Sequence, residues 1–279
     1  MTRAELHPWN RNFRWETPHG PFRRVTPEHV TQFDEQGFFV LEHAFDLDLV
    51  ARVIEELDTH EAFVDAFLQT QADERMMIAE AGAITFTPHL VGQSELARAF
   101  ATDEVFVDLC ADLLGPDVDM YWDQAVYKKP EKPRRFPWHQ DNGYTFIEPQ
   151  QYLTCWVALT DATVENGCPR VAPGVHRRGT LAHRYVEPLG FECFDAPEYE
   201  VAAPVGAGGV VVFSSLTPHL TGPNTTNAVR KAYILQYAHA GSQVLRGDPR
   251  QGEPSHREPC NDPARQFPIL RNGAPPRAT

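Results

Sequence analysis

The sequence predicts a mainly β protein with a helical N-terminal part: a jelly roll, or double-stranded β-helix, with helices packed on one of its sheets. Two observations carry that expectation. Up to about residue 115, apolar residues recur at helical spacing and their segments close on helix stop signals. Beyond that point, short β-like runs at 118–128, 152–160, 169–172, 209–213 and 232–238 are separated by Pro- and Gly-rich turns.

Residues 1–25 place Trp9, Phe13, Trp15 and Phe22 among Pro and Arg, as an extended arm lying over the domain. Thr26-Pro27-Glu28 starts a helix, with Thr as cap and Pro in the first turn, and Gly37 stops it. Phe38-Phe39-Val40-Leu41 reads as a short buried strand. Leu47, Val50, Val53, Ile54 and Leu57 mark a helix over 47–58. A further helix is expected around 61–69 and a strand near 83–87. The helical stretch over about 94–114 ends at Gly115-Pro116. The chain is read as one domain, 1–279: a helical half over about 26–115, a β core over about 116–240, and a surface-wrapping tail over 241–279.

Hydrophobic residues make up 42% and charged residues 23% of the 279, enough for a real core. The net charge of −13 argues against nucleic acid and against an anionic membrane surface as partners; it says little about a small-molecule substrate, because a local basic pocket can exist inside an acidic protein. No apolar run reaches the roughly 20 residues of a membrane helix. Cys110, Cys155, Cys168, Cys193 and Cys260 form no CxxC, so they read as reduced buried thiols of a cytoplasmic protein.

The chemistry concentrates in His139-Gln140-Asp141 and the distant His219. Two imidazoles and a carboxylate on one face of an ion, with the other positions open, are the geometry of non-haem Fe(II) oxygenases. The HxD pair suits a strand or its end, where residues two apart point the same way. Twelve histidines make a chance match easy, so the surroundings matter. Eleven residues after His219 comes Arg230, across turn formers that suggest a hairpin. Its planar fork matches a carboxylate, as the far end of an iron-chelating 2-oxo acid requires. Trp156, Tyr127, Tyr144 and Phe146 are candidate walls of a substrate pocket, and Arg134-Arg135 and Arg177-Arg178 read as solvated surface.

Three stretches carry a family resemblance: Trp138-His139-Gln140-Asp141, Glu165-Asn166-Gly167-Cys168-Pro169-Arg170-Val171-Ala172-Pro173-Gly174-Val175-His176, and Pro218-His219 through Arg230-Lys231-Ala232-Tyr233. Together they resemble the phytanoyl-CoA dioxygenase (PhyH) family of iron(II)/2-oxoglutarate oxygenases, over about residues 26–240. The family commonly has Pro-Gly-Ser-His where this chain has Pro173-Gly174-Val175-His176. The resemblance implies that His139, Asp141 and His219 hold Fe(II), and that Arg230 binds the distal carboxylate of 2-oxoglutarate. It also places Gln124 and Thr221 beside that co-substrate and leaves His176 structural. O2 is the oxidant, succinate and CO2 the by-products, and hydroxylation of a small metabolite or natural-product intermediate the default outcome. Related halogenases have a small residue in place of Asp141. Desaturation, cyclisation and acyl-CoA hydroxylation use the same centre. A non-catalytic metal-binding jelly-roll module is the alternative of a different class. The segments 59–93, 143–152 and 183–203 and the tail are expected to shape the mouth.

Overall fold

A computed structural model describes residues 4–130 and 136–276; Arg134-Arg135 lie outside the described residues. Helix α1 spans Pro27–Gln36. The Thr26 hydroxyl accepts from His29 N, and Gly37 closes the helix. Strand β1, Phe38–Leu41, follows directly. Helix α2 runs unbroken over Leu47–Leu68, where the sequence predicted two helices. No Pro or Gly interrupts Asp58-Thr59-His60, and the buried stripe of Val50, Val53, Leu57, Glu61 and Leu68 passes straight through. Strand β2 is Ile84–Pro88. The single stretch predicted over 94–114 is two helices, α3 (Glu95–Ala101) and α4 (Glu104–Leu113). Asp103 separates them, because its side chain accepts from Val105 N at 2.9 Å and starts a new helix.

The two sheets around the site are completed by β3 (Val118–Lys128), β4 (Leu153–Ala158), β5 (Pro169–Val171), β6 (Val201–Ala202), β7 (Val210–Ser214), β8 (His219–Thr221), β9 (Arg230–His239) and β10 (Pro268–Leu270), while the short strands Ile147–Glu148, Arg184–Val186, Gly190–Glu192, Gln243–Arg246 and His256–Pro259 lie outside them. The large antiparallel sheet has the order β1-β7-β4-β9-β3-β2, continued by the short strands Ala79–Glu80 and Arg75–Met76. A smaller sheet runs β6-β5-β8, and a bridge from His219 to His139 extends it.

Alternation gives the large sheet two characters. Tyr233, Leu235 and Tyr237 of β9, with Cys155 and Val157 of β4, pack on Val53, Leu57, Phe100 and Phe106 of the helices. Ala232 and Ile234, with Trp156, Val126 and Phe213, face Val171 of the small sheet instead. The helical half therefore covers one face and leaves the other to the site.

Two expectations are corrected. His219 and Arg230 do not flank a hairpin: β8 pairs with β5 in the small sheet and β9 with β3 and β4 in the large one, so the segment between them crosses layers. Its turn residues serve that crossing, Asn224 Nδ2 donating to Lys128 O and Ala228 O. The tail does more than wrap the surface, because β10 joins the large sheet through β3. Among the described residues no helix is long and apolar enough to cross a membrane.

Candidate metal centre

His139 N donates to His219 O at 3.1 Å and His219 N to His139 O at 2.8 Å. This closed pair brings the two imidazole centroids to 4.3 Å. Directly afterwards the chain turns into helix α5, Asp141–Tyr144, so the carboxylate comes from the first residue of a helical turn rather than from a strand. Ligand atoms of His139, Asp141 and His219 all lie within 4.8 Å of one another, and His219 Nε2 is 3.8 Å from Asp141 Oδ1.

Each side chain is held from behind. His139 Nδ1 lies 3.2 Å from Pro137 O, and His219 Nδ1 lies 3.0 Å from Thr217 O. A carbonyl only accepts, so both Nδ1 atoms carry the proton and both Nε2 lone pairs are left for an ion. Thr154 Oγ1 donates to Asp141 Oδ2 at 2.6 Å, and Gln236 Nε2 stands 3.4 Å from the same hydroxyl. Burial pushes both imidazoles down to about 4 and raises the Asp141 carboxyl. Neutral imidazoles are the ligating form, and a bound cation offsets the cost of the buried carboxylate. The donor set thus fits a divalent transition metal.

The middle residue of the motif locks the turn. Gln140 is fully buried; its Nε2 donates to Gly179 O at 3.1 Å and its Oε1 accepts from Leu181 N at 2.6 Å. Gln140 N donates to His183 Nε2 at 3.0 Å, and His183 Nδ1 sits 2.9 Å from Leu181 O. The His183 ring lies so close to Gly143 that a Cβ there would come within 2.0 Å of it. His183 carries no motif and was missed among the twelve histidines. His176, by contrast, lies 4.4 Å from Trp15 by ring centroids, with Nε2 3.1 Å from Asp34 O, in a structural role.

Arg230 opens β9, fully buried, with Nη1 donating to Val126 O at 3.2 Å and its guanidinium 5.0 Å from the Trp156 ring. Trp156 stands one same-face repeat, about 7 Å, from Thr154, the residue that holds Asp141. Across the ladder from Arg230 is Lys128, also fully buried. Lys128 Nζ donates to Thr221 O at 2.9 Å and to Gly222 O, 3.4 Å over the Phe136 ring. The sequence reading missed Lys128, whose one signal is a lysine closing the apolar run Ala125-Val126-Tyr127. Gln124 is partly buried on the same inner face, opposite Ile234; Thr221 meets Lys128 through its carbonyl.

The candidate pocket walls separate. Trp156 lies on the inner face, and the Tyr144 ring stands edge-on to His139 at 5.2 Å. Tyr127 is a correction: it points into the helix layer and its hydroxyl donates to Asp58 Oδ1 at 2.8 Å. Phe146 is another, packed in a separate cluster with Trp9 and Leu245. A cleft of about 680 Å3 beneath the N-terminal arm, lined by Arg14, His19 and Arg257 among others, holds none of the triad.

Residues 33–232 match the phytanoyl-CoA dioxygenase (PhyH) family. The methylphosphonate hydroxylase of Gimesia maris is 31% identical over 155 residues, 55% of this chain and 56% of that protein. The chain spans about half the length of the first curated relatives it matches, 56% and 41%. SnoK, a non-haem α-ketoglutarate-dependent carbocyclase from nogalamycin biosynthesis, superposes with a TM-score of 0.69 at 21% identity, covering 90% of this chain and 100% of SnoK. EvdO2 from Micromonospora carbonacea var. aurantiaca, solved with 2-oxoglutarate, gives a TM-score of 0.62 at 24% identity, covering 87% and 98%. These two likenesses are of fold.

Proposed function

Because the chain belongs to the phytanoyl-CoA dioxygenase family of iron(II)- and 2-oxoglutarate-dependent oxygenases, we propose that His139, Asp141 and His219 hold iron(II) and that it hydroxylates a small molecule. The observation that carries this reading is the convergence of three donor groups within 4.8 Å, with each imidazole already tied back through Nδ1. The complete donor set weighs against a non-catalytic binding module. The name of the Gimesia maris relative, a hydroxylase of a small molecule, supports the outcome.

When bound, the iron and 2-oxoglutarate supply the oxidising chemistry: one oxygen atom of O2 enters the substrate C–H bond, the other enters succinate, and CO2 leaves. The protein's own part is placement. Arg230 receives the distal carboxylate through a charge-assisted fork, with Trp156 as the wall beneath it. Thr154 orients Asp141, and His183 and Gln140 fix the turn that carries it. Gln124 and Thr221 border the co-substrate. We read the two facing sheets as a double-stranded β-helix within one domain, 1–279. The five buried free cysteines suit a cytoplasmic protein.

The test is succinate release from 2-oxoglutarate by iron-loaded protein, with product mass followed over a substrate library. A substrate gaining one oxygen atom in step with succinate is the expected result. Succinate release that does not depend on added iron would sink the reading.

A further inference from the structure

The N-terminal arm and the turn that carries Asp141 share one strip of backbone, residues 179–183. Toward the turn, Gly179 O accepts from Gln140 Nε2, Leu181 N donates to Gln140 Oε1, and His183 Nε2 accepts from Gln140 N. Toward the arm, His7 N donates to Thr180 O at 3.0 Å and Ala182 N donates to Glu5 O at 2.8 Å, around a bridge between Leu6 and Leu181. Backbone groups alternate in direction along an extended strip, so 180 and 182 meet the arm while 179 and 181 meet Gln140. The approach is close enough to require a glycine. Gly179 has a φ of +75°, and a Cβ there would lie 2.7 Å from Asn10 Nδ2.

Four buried polar side chains cross the same strip. Asn10 Nδ2 donates to Arg178 O at 2.8 Å and to Thr180 O at 2.9 Å. Gln150 Nε2 donates to Asn10 Oδ1 at 3.2 Å. Gln150 Oε1 accepts from Thr180 N at 3.0 Å and from Thr180 Oγ1 at 2.8 Å. The amide N–H of Thr180 can only donate, so Gln150 turns its oxygen that way and keeps its nitrogen for Asn10. Thr180 Oγ1 accepts from Asn142 Nδ2 at 2.7 Å, and Asn142 Oδ1 accepts from Ile147 N at 2.9 Å. The series therefore starts in the arm and ends on the residue after Asp141. Burying four such groups is costly unless each is paired, and here every side-chain nitrogen and oxygen has a partner. A fully paired buried network rigidifies what it touches.

We propose that Asn10 is a positioning residue of the metal centre: through Gly179, Thr180 and Gln150, the N-terminal arm sets the turn that presents Asp141 to the ion. The proposal rests on the metal-centre reading above and adds a distant part of the chain to that site. Coupling of this kind is reciprocal, so an ion bound at the triad also steadies the arm.

The experiment uses the full chain and cobalt(II), whose visible absorption reports ligand geometry. Asn10→Ala should weaken cobalt binding by roughly 2- to 30-fold, the span of a network residue that touches no ligand, and should alter the absorption of the cobalt that does bind. Thr17→Val unties another part of the arm, where Thr17 Oγ1 donates to Asp34 Oδ1 at 2.5 Å, and should leave affinity and absorption as in the parent. In the parent protein, cobalt should slow amide hydrogen exchange at His7 and Leu181, a measurement that decides the matter if Asn10→Ala does not fold. Parent-like cobalt affinity in Asn10→Ala, an equal loss in Thr17→Val, or exchange at His7 indifferent to cobalt would overturn the proposal alone. Failure of the parent to bind cobalt would overturn the metal-centre reading and this proposal with it.

Discussion

On β9, Tyr233, Leu235 and Tyr237 pack against the helices, while Arg230, Ala232 and Ile234, interleaved with them, face the second sheet. The first set is an apolar layer whose few polar atoms are satisfied locally, as when Tyr237 Oη donates to Ala101 O at 2.8 Å. The second alternates apolar residues with Arg230 and Gln236 and meets Lys128 and Thr154 on the neighbouring strands. One strand therefore carries an apolar packing face and, opposite it, the face of the proposed site, and a shift of a single residue exchanges the two.

The largest effect expected on the inner side is from Asp141→Ala or His219→Ala. Either should abolish iron retention and substrate-coupled succinate formation while the far-ultraviolet circular dichroism is kept. Parent-like turnover in either variant would refute the ligand assignment. The matching change on the outer side is Leu57→Ala, in a fully enclosed position against the sheet. It should cost about 2–5 kcal/mol in urea unfolding and leave the 2-oxoglutarate requirement of the folded protein unchanged. A large change in that requirement would mean that the two faces are coupled.

Arg230→Ala should raise the 2-oxoglutarate requirement by roughly 10- to 150-fold, the worth of a charge-assisted bond at about 1.5–3 kcal/mol. An unmoved requirement would place the clamp elsewhere. Thr154→Val removes the hydroxyl behind Asp141 and is expected to weaken iron binding by roughly 10- to 100-fold, read by competition with a chelator. Equal iron affinity in the valine variant would show that Asp141 needs no such support.

The smallest contrast is graded with pH. Burial holds His139, His176 and His219 near 4, against 6.5 for an open imidazole. Unfolding lets each take up a proton between those values, so the iron-free protein loses stability as pH falls from about 6.5 to about 4. Asp123 works the other way. Burial raises it from 3.8 to about 6, so its contribution is present at low pH and lost as pH rises through 6. His7 and His183 are lowered by burial as well, so the buried imidazoles outnumber the raised carboxyls of Asp123 and Asp141 and predict a Tm that falls on acidification; a level Tm across that window would contradict the balance.

Much of this was legible in the residues. Thr26, Pro27 and Gly37 delimit α1 through cap chemistry that is local. His139, Asp141, His219 and Arg230 stood out through the motifs around them, since twelve histidines make an isolated HxD match easy by chance. Tyr127 was misplaced because Val118–Lys128 is enclosed on both faces; where polar residues do not alternate, the phase of a strand is not written in its pattern. The hairpin expected between His219 and Arg230 failed for a related reason: turn formers announce a reversal and not the sheet in which the chain resumes. His183 and Lys128 were invisible because each acts through backbone partners far away in sequence, Gln140 N for one and the carbonyls of Thr221 and Gly222 for the other.

The layer-crossing segment between His219 and Arg230 has a mechanical meaning. One end carries a proposed iron ligand in the small sheet and the other carries Arg230, the proposed carboxylate fork, in the large one, joined by ten intervening residues. Lys128 rivets the start of the segment to β3, and Asn224 ties its middle to Lys128 O. The chain thus works as a caliper whose jaws are set by covalent structure. In the proposed reading such a caliper would gauge a diacid by length as well as by charge.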